Sequence, residues 1–193
     1  MPFSITKEKL ERLAVVQEKL SGRVEERPLG EVRFLGAVDV AYRGDWACAA
    51  FVLWDLLLGE AVKSKRVAVE VGAPYIPTFF FLRETKPILL ALRGEEFDVL
   101  MVEGHGKAHP RGYGLASHIG LLLSKPTIGI AKRPLRDTEN FTRVGKAYVS
   151  VGHLVTLEDA VRLVEMTLDS GYPAPLKLAD RESRKCLKRE SVR

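Results

Sequence analysis

The sequence predicts an α/β protein with a mixed sheet: an antiparallel three-strand meander followed by parallel strands, with helices on the faces. Three observations predict it. Extended runs joined by short turns fill the stretch from Val32 to Val71. Helical and extended patterns alternate after that. The later extended runs are short and continuously apolar, as strands are when both faces are covered.

Each element has its own signal. Thr6 to Leu20 has helical spacing, with Leu10, Leu13, Ala14, Gln17 and Leu20 on one face and Gly22 as a stop. Val32 to Tyr42, Trp46 to Asp55 and Glu60 to Val71 read as strands, separated by turns at Arg43-Gly44-Asp45 and Leu58-Gly59. Thr85-Lys86-Pro87 predicts a helix start with proline in the first turn, running to Arg93 and stopped by Gly94. Val99 to Val102 and Thr127 to Ala131 read as buried strands, with a helix from Leu115 to Leu123 between them and a further strand at Ala147 to Val151. Thr156 with Asp159 resembles a capping box and opens a helix to Ser170, stopped by Gly171. Pro173 and Pro175 then break the chain before a short charged C-terminal helix.

The 193 residues suit one domain, 1–193, and 46% hydrophobic against 28% charged residues is an ordinary globular balance. Met1 to Leu10 carries no apolar run with a cleavage site, so no secretory signal is expected. The longest apolar stretch, Trp46 to Trp54, spans nine residues, against the ~20 that a membrane helix needs. Cys48 and Cys186 lack metal-ligand spacing and predict reduced thiols in the cytoplasm. The net charge of +5 is uneven: Arg181 to Arg193 holds six basic residues against Glu182 and Glu190. That basic tail reads as a polyanion contact or as a solvated terminus. Gln17 and Asn140 are the only side-chain amides, which fits a protein from a hot environment.

Ligand sites of α/β sheets lie beyond the carboxyl ends of parallel strands. There, Val99 to Val102 runs into Glu103-Gly104-His105-Gly106. A carboxylate followed by glycines suits close backbone approach to an anionic ligand, or else a tight turn with a solvated acid. Asp39 interrupts an otherwise apolar strand and must be ion-paired, hydrogen-bonded or metal-bound. Two carboxylates on neighbouring strands have the oxygen-rich character that Mg²⁺ or Mn²⁺ prefers. Glu84 and Asp180 are further acids, each beside an arginine that offers an ordinary ion pair. His109-Pro110-Arg111-Gly112 reads as a loop presenting His and Arg to an anion, and Ser117 reads as packing. Tyr75 and Pro77, followed by Phe79 to Phe81, suit either a wedge between stacked bases or a core-covering loop.

These segments resemble the endonuclease V family over nearly the whole chain. Gly36 to Tyr42 (GAVDVAY) is similar to its first catalytic strand and Pro74 to Glu84 (PYIPTFFFLRE) to its most recognisable motif. Val102 to Gly120 (VEGHGKAHPRGYGLASHIG), Pro126 to Lys132 (PTIGIAK) and Val149 to His153 (VSVGH) follow in the family's order. The resemblance implies a ribonuclease H-like fold. It also implies Mg²⁺- or Mn²⁺-dependent hydrolysis of the second phosphodiester bond 3′ to deoxyinosine or inosine, leaving a 5′-phosphate and a 3′-hydroxyl. By motif position, Asp39, Glu103 and Asp180 are the implied metal ligands and Glu84 completes the acidic cluster. Tyr75, with Pro77 beside it, is the implied wedge. Phe80, Gly104 and Gly106 line the pocket for a flipped base, and His109 and Lys132 meet phosphates. The implied partner is DNA containing deoxyinosine, with inosine-containing RNA as the alternative, and the chain is expected to act as a monomer. It departs from the family at Glu103, where Asp is usual, and at Thr78, where Gly is usual. Two rival readings are an inosine-binding module with impaired catalysis and a structure-specific nuclease of the same fold.

Overall fold

The computed structural model describes residues 5–189, so the last four residues of the basic tail lie outside it. In chain order the elements are α1 (Lys7–Ser21), β1 (Phe34–Arg43), β2 (Trp46–Asp55), β3 (Glu60–Glu70), α2 (Phe81–Leu92), β4 (Val99–Glu103), α3 (Leu115–Leu123), β5 (Thr127–Ala131), β6 (Thr142–Val144), β7 (Ala147–His153), α4 (Leu157–Met166), β8 (Leu168–Asp169), β9 (Tyr172–Pro173) and α5 (Ala174–Arg189). The main sheet runs β3-β2-β1-β4-β5-β7-β6. Its first three strands form the antiparallel meander, β1, β4 and β5 are parallel, and β7 returns antiparallel. This is the predicted ribonuclease H-like mixed sheet. No helix among the described residues is long and apolar enough to cross a membrane.

The sheet is buried on both faces because its central strands carry two apolar rows. Val38, Phe51, Leu100 and Val102 pack with Ile88 and Ala91 of α2 and with Ala116 and Ile119 of α3. Leu35, Ala37, Val99, Met101, Ile128 and Ile130 pack with Leu163 and Val164 of α4 and with Leu176 and Ala179 of α5. The second row sets up the site. Leu35 pairs with Val99, and Ala37 with Met101. Two residues further along, Asp39 and Glu103 continue those rows side by side.

Four expectations need correction. Helix α2 begins at Phe81, one turn before Thr85, and holds Pro87 inside it. The buried stripe Glu84, Ile88 and Ala91 continues the helical spacing upstream of the proline, and that packing outweighs the missing N–H. Helix α4 stops at Met166, and a small hairpin follows in which Ser170 and Gly171 both have positive φ, 53° and 89°. That is the geometry of a two-residue hairpin turn, so Gly171 turns a hairpin there instead of capping a helix. Pro175 lies in the first turn of α5, where proline is tolerated, so the chain continues as a 16-residue helix. Residues 181–189 therefore belong to α5, with Ser183 and Leu187 buried.

The fourth correction concerns the cysteines. Cys48 on β2 and Cys186 on α5 form a disulfide with a Cα–Cα distance of 6.2 Å. The residues are 138 apart in sequence, but α5 lies across β1 and β2. Packing brings together what sequence spacing had kept apart.

Candidate active site

β1 continues to Arg43, beyond its last β4 pair at Val38–Val102. The strand ends thus open into a cavity of about 840 Å³. Asp39, Glu84, Glu103 and Asp180 all line it, with Tyr75, Phe80, Gly104, His109 and Lys132. Of the expected site residues, Pro77 and Gly106 do not line it. Gly106 is a packing glycine: a Cβ there would lie 1.9 Å from the Val151 carbonyl oxygen. Gly104 has φ +148°, a conformation that frees the backbone to turn away from the sheet after Glu103.

The acids arrive from four elements. Asp39 (8% exposed) comes from β1, Glu103 from the end of β4, Glu84 (4% exposed) from the first turn of α2 and Asp180 from α5. A neutral hydroxyl holds each of the three most buried. Ser183 Oγ donates to Asp39 Oδ2 at 2.9 Å, Tyr42 Oη to Glu84 Oε1 at 3.0 Å and Tyr172 Oη to Glu103 Oε2 at 2.6 Å. Asp180 instead meets cations, Arg184 at 2.8 Å and Lys132 at 3.4 Å, and Lys132 also reaches Glu103 at 3.8 Å. Burial raises the pKa of Asp39, with the charge of Asp180 adding to it. Burial likewise holds Glu84 well above the usual carboxylate range, with Asp39 and Glu103 adding. Glu103 is pushed up to about 7, chiefly by burial. The cleft concentrates negative charge that its own cations only partly offset.

Above the acids lies the segment carrying Tyr75, which is 62% exposed and packs edge-on against Phe80 at 5.5 Å. Its base is clamped at Thr78. The Thr78 carbonyl accepts from Gln17 Nε2 (3.1 Å), Arg111 Nη2 (2.9 Å) and His109 Nε2 (3.1 Å), and Thr78 Oγ1 accepts a further bond from Arg111 (2.7 Å). Thr78 has φ +64°, which explains why glycine suits the position and shows what threonine adds: an anchor for Arg111. His109 is pushed down to about 4, mainly by burial, so it is neutral. Its Nδ1 accepts from the Arg111 amide at 3.3 Å, which leaves the proton on Nε2. Both ring nitrogens work inside the protein, and His109 is built in as a strut. Ser117 is fully buried in α3, in keeping with a packing role.

Sequence reasoning missed the hydroxyl donors Tyr42, Tyr172 and Ser183, and it missed the clamp residues Gln17 and Arg111 as a unit. One signal was available. The only glutamine of the chain sits on the apolar face of α1, where a polar side chain needs a buried partner.

Comparison with known proteins identifies the architecture. The profile of the family described as Endonuclease V matches residues 17–145. The chain is 60% identical over 178 residues to Endonuclease V of Pyrococcus horikoshii, covering 91% of this chain and 84% of that protein. The chain belongs to the endonuclease V family. Among solved structures, Endonuclease V from Streptomyces avermitilis superposes with a TM-score of 0.85 at 29% identity, covering 97% of this chain and 96% of that one. The Ciona intestinalis Endonuclease V, solved with a 24mer DNA containing an inosine followed by a ribo-adenosine, has the same fold (TM-score 0.85, 24% identity, 95% and 99% covered).

Endonuclease V nucleases are metal-dependent in general. The donor set here, the carboxylate oxygens of Asp39, Glu84, Glu103 and Asp180, fits a hard divalent cation. Among the described residues no three His, Cys, Asp or Glu side chains are already gathered as a ligating group. The Lys132 ammonium instead contacts both Glu103 and Asp180, with its side chain half-exposed.

Proposed function

We propose that this endonuclease V family member nicks nucleic acid at the second phosphodiester bond 3′ to deoxyinosine or inosine, with Mg²⁺ or Mn²⁺ as cofactor. The reaction leaves a 5′-phosphate and a 3′-hydroxyl. The observation that carries this reading is the convergence of Asp39, Glu84, Glu103 and Asp180 on one cavity that the exposed Tyr75 also lines. The family membership and the inosine-containing DNA bound by the Ciona intestinalis protein support it.

Each residue has a role that follows from its placement. Tyr75, on a loop fixed at Thr78, enters the base stack beside the lesion. The hypoxanthine base turns into the cavity against Phe80, Gly104 and Leu115. Extrusion costs least for a base that is already mismatched or single-stranded, which favours the lesion. Asp39, Glu103 and Asp180 would hold the cation. When bound, that cation supplies Lewis-acid polarisation of the phosphate and charge stabilisation at the leaving oxygen. Glu84, in its carboxylate form, takes up the proton released as water attacks phosphorus; the bond from phosphorus to the 3′ oxygen breaks, and that oxygen takes a proton from solvent to become the 3′-hydroxyl. Lys132, displaced from Glu103 and Asp180, neutralises a phosphate at the cut.

The test is an end-labelled duplex carrying one deoxyinosine, with an undamaged flap and an inosine RNA as companions, incubated warm with Mg²⁺, Mn²⁺ or EDTA. The expected result is a metal-dependent nick one nucleotide beyond the inosine, absent in Asp39→Ala. Binding without a nick under either ion would favour an inosine-binding module. Equal cutting of the undamaged flap would favour a structure-specific nuclease.

A further inference from the structure

The three most buried acids of the cleft share a feature that their motifs do not specify. Each receives a hydroxyl donor from a different element of the fold. Tyr42 of β1 holds Glu84 of α2, Tyr172 of β9 holds Glu103 of β4, and Ser183 of α5 holds Asp39 of β1. All three contacts are distant in sequence, 42, 69 and 144 residues apart. Ser183 is fully buried and Tyr172 nearly so. A hydroxyl fixes one carboxylate oxygen without adding positive charge. An arginine or lysine in its place would compete with a divalent cation for the same acid, as Lys132 does at Glu103 and Asp180.

We infer that Tyr42, Tyr172 and Ser183 are positioning residues. They preset the rotamers of Glu103 and Asp39 for a divalent cation, and that of Glu84 beside it, without adding positive charge to the cleft. The inference rests on the cleft being the cation site proposed above. Such outer partners commonly set metal affinity, and losing one costs roughly 10–100-fold. Tyr172 has the largest share. Glu103 has one more rotatable bond than an aspartate, and the Tyr172 contact removes that freedom.

The test is calorimetric titration of Mn²⁺ into the DNA-free protein, followed by nicking rates across a Mn²⁺ series. Tyr172→Phe and Ser183→Ala are expected to bind Mn²⁺ at least tenfold more weakly and to need correspondingly more Mn²⁺ for half-maximal nicking. Their rate at saturating Mn²⁺ should fall much less. Ser183→Thr keeps the hydroxyl and should bind within about threefold of the parent, as its conserved hydrogen-bonding group implies. Unchanged Mn²⁺ affinity in Tyr172→Phe and Ser183→Ala, even with lowered thermal stability, would overturn the inference and leave the proposed activity standing. A parent protein whose Mn²⁺ binding is no stronger than that of Asp39→Ala would overturn both.

Discussion

At the residue scale, Glu103 closes β4 at the edge of the cleft, and its surroundings define a pH dependence. Burial raises its pKa to about 7, so below that value a proton competes with any cation for the same oxygens. Mn²⁺ affinity should therefore be flat above about pH 8 and fall toward tenfold per unit as pH drops below about 7. Calorimetry at a series of pH values reads this directly, and Glu103→Gln should abolish the slope along with most of the binding. The histidines act on folding, over an overlapping range. His109 and His118 are each pushed down to about 4, chiefly by burial, from an ordinary value of 6.5. The stability they provide is complete above about pH 6.5 and is lost as pH falls toward 4, because unfolding then takes up protons. The raised carboxyls Asp39, Glu84 and Glu103 act in the opposite sense over the same range, so the histidine share is read by difference. In thermal melts of the metal-free protein at pH 7, 5.5 and 4.5, the melting temperature of His118→Phe should rise relative to that of the parent as pH falls. A constant difference between the two at all three pH values would contradict this.

At the element scale, the loop proposed as the wedge is anchored at Thr78. Arg111 holds that point through two bonds to Thr78 and one to Gln17, and it stacks on Phe79 at 4.5 Å. Arg111→Ala should cost about 2–3 kcal/mol of stability, since it strips partners from buried polar groups. It should also lower nicking of inosine in duplex more than in single strands, where less wedging is needed. Equal losses on both substrates would mean that the clamp does not act through Tyr75. The elements themselves were largely legible, because buried strands and amphipathic helices announce their period. Trp46–Asp55, Leu115–Leu123 and Thr127–Ala131 match residue for residue. The misreadings cluster at Pro87, Pro175 and Gly171, where local punctuation was taken at face value and tertiary packing decided otherwise. The acids were readable as polar intrusions into apolar runs. Their hydroxyl partners were not, because nothing local distinguishes Tyr172 or Ser183 from any other tyrosine or serine, and only the fold brings them to Glu103 and Asp39.

At the scale of the whole molecule, the Cys48–Cys186 bond ties α5, and with it Asp180 and Ser183, to the sheet that carries Asp39. Closing a loop of this length restricts the unfolded chain by an amount on the order of 5 kcal/mol, an upper figure for what the bond adds to stability. Cys186→Ser should lower the melting temperature by on the order of 10 °C. It should also weaken Mn²⁺ binding, because the end of α5 then loses its covalent tie to β2 and is held only by packing and polar contacts. An unchanged melting temperature would show that packing already suffices. The loop runs from residue 48 to residue 186, so it encloses Tyr75, Glu84, Glu103, His109, Lys132 and Asp180 and leaves only Asp39 of the acidic set outside. A protease that cuts the exposed Tyr75 segment would therefore release no fragment. The cut protein would keep its two halves on one covalent thread and run as a single species until a reductant was added, so damage to the backbone at this exposed loop need not scatter the parts of its active site.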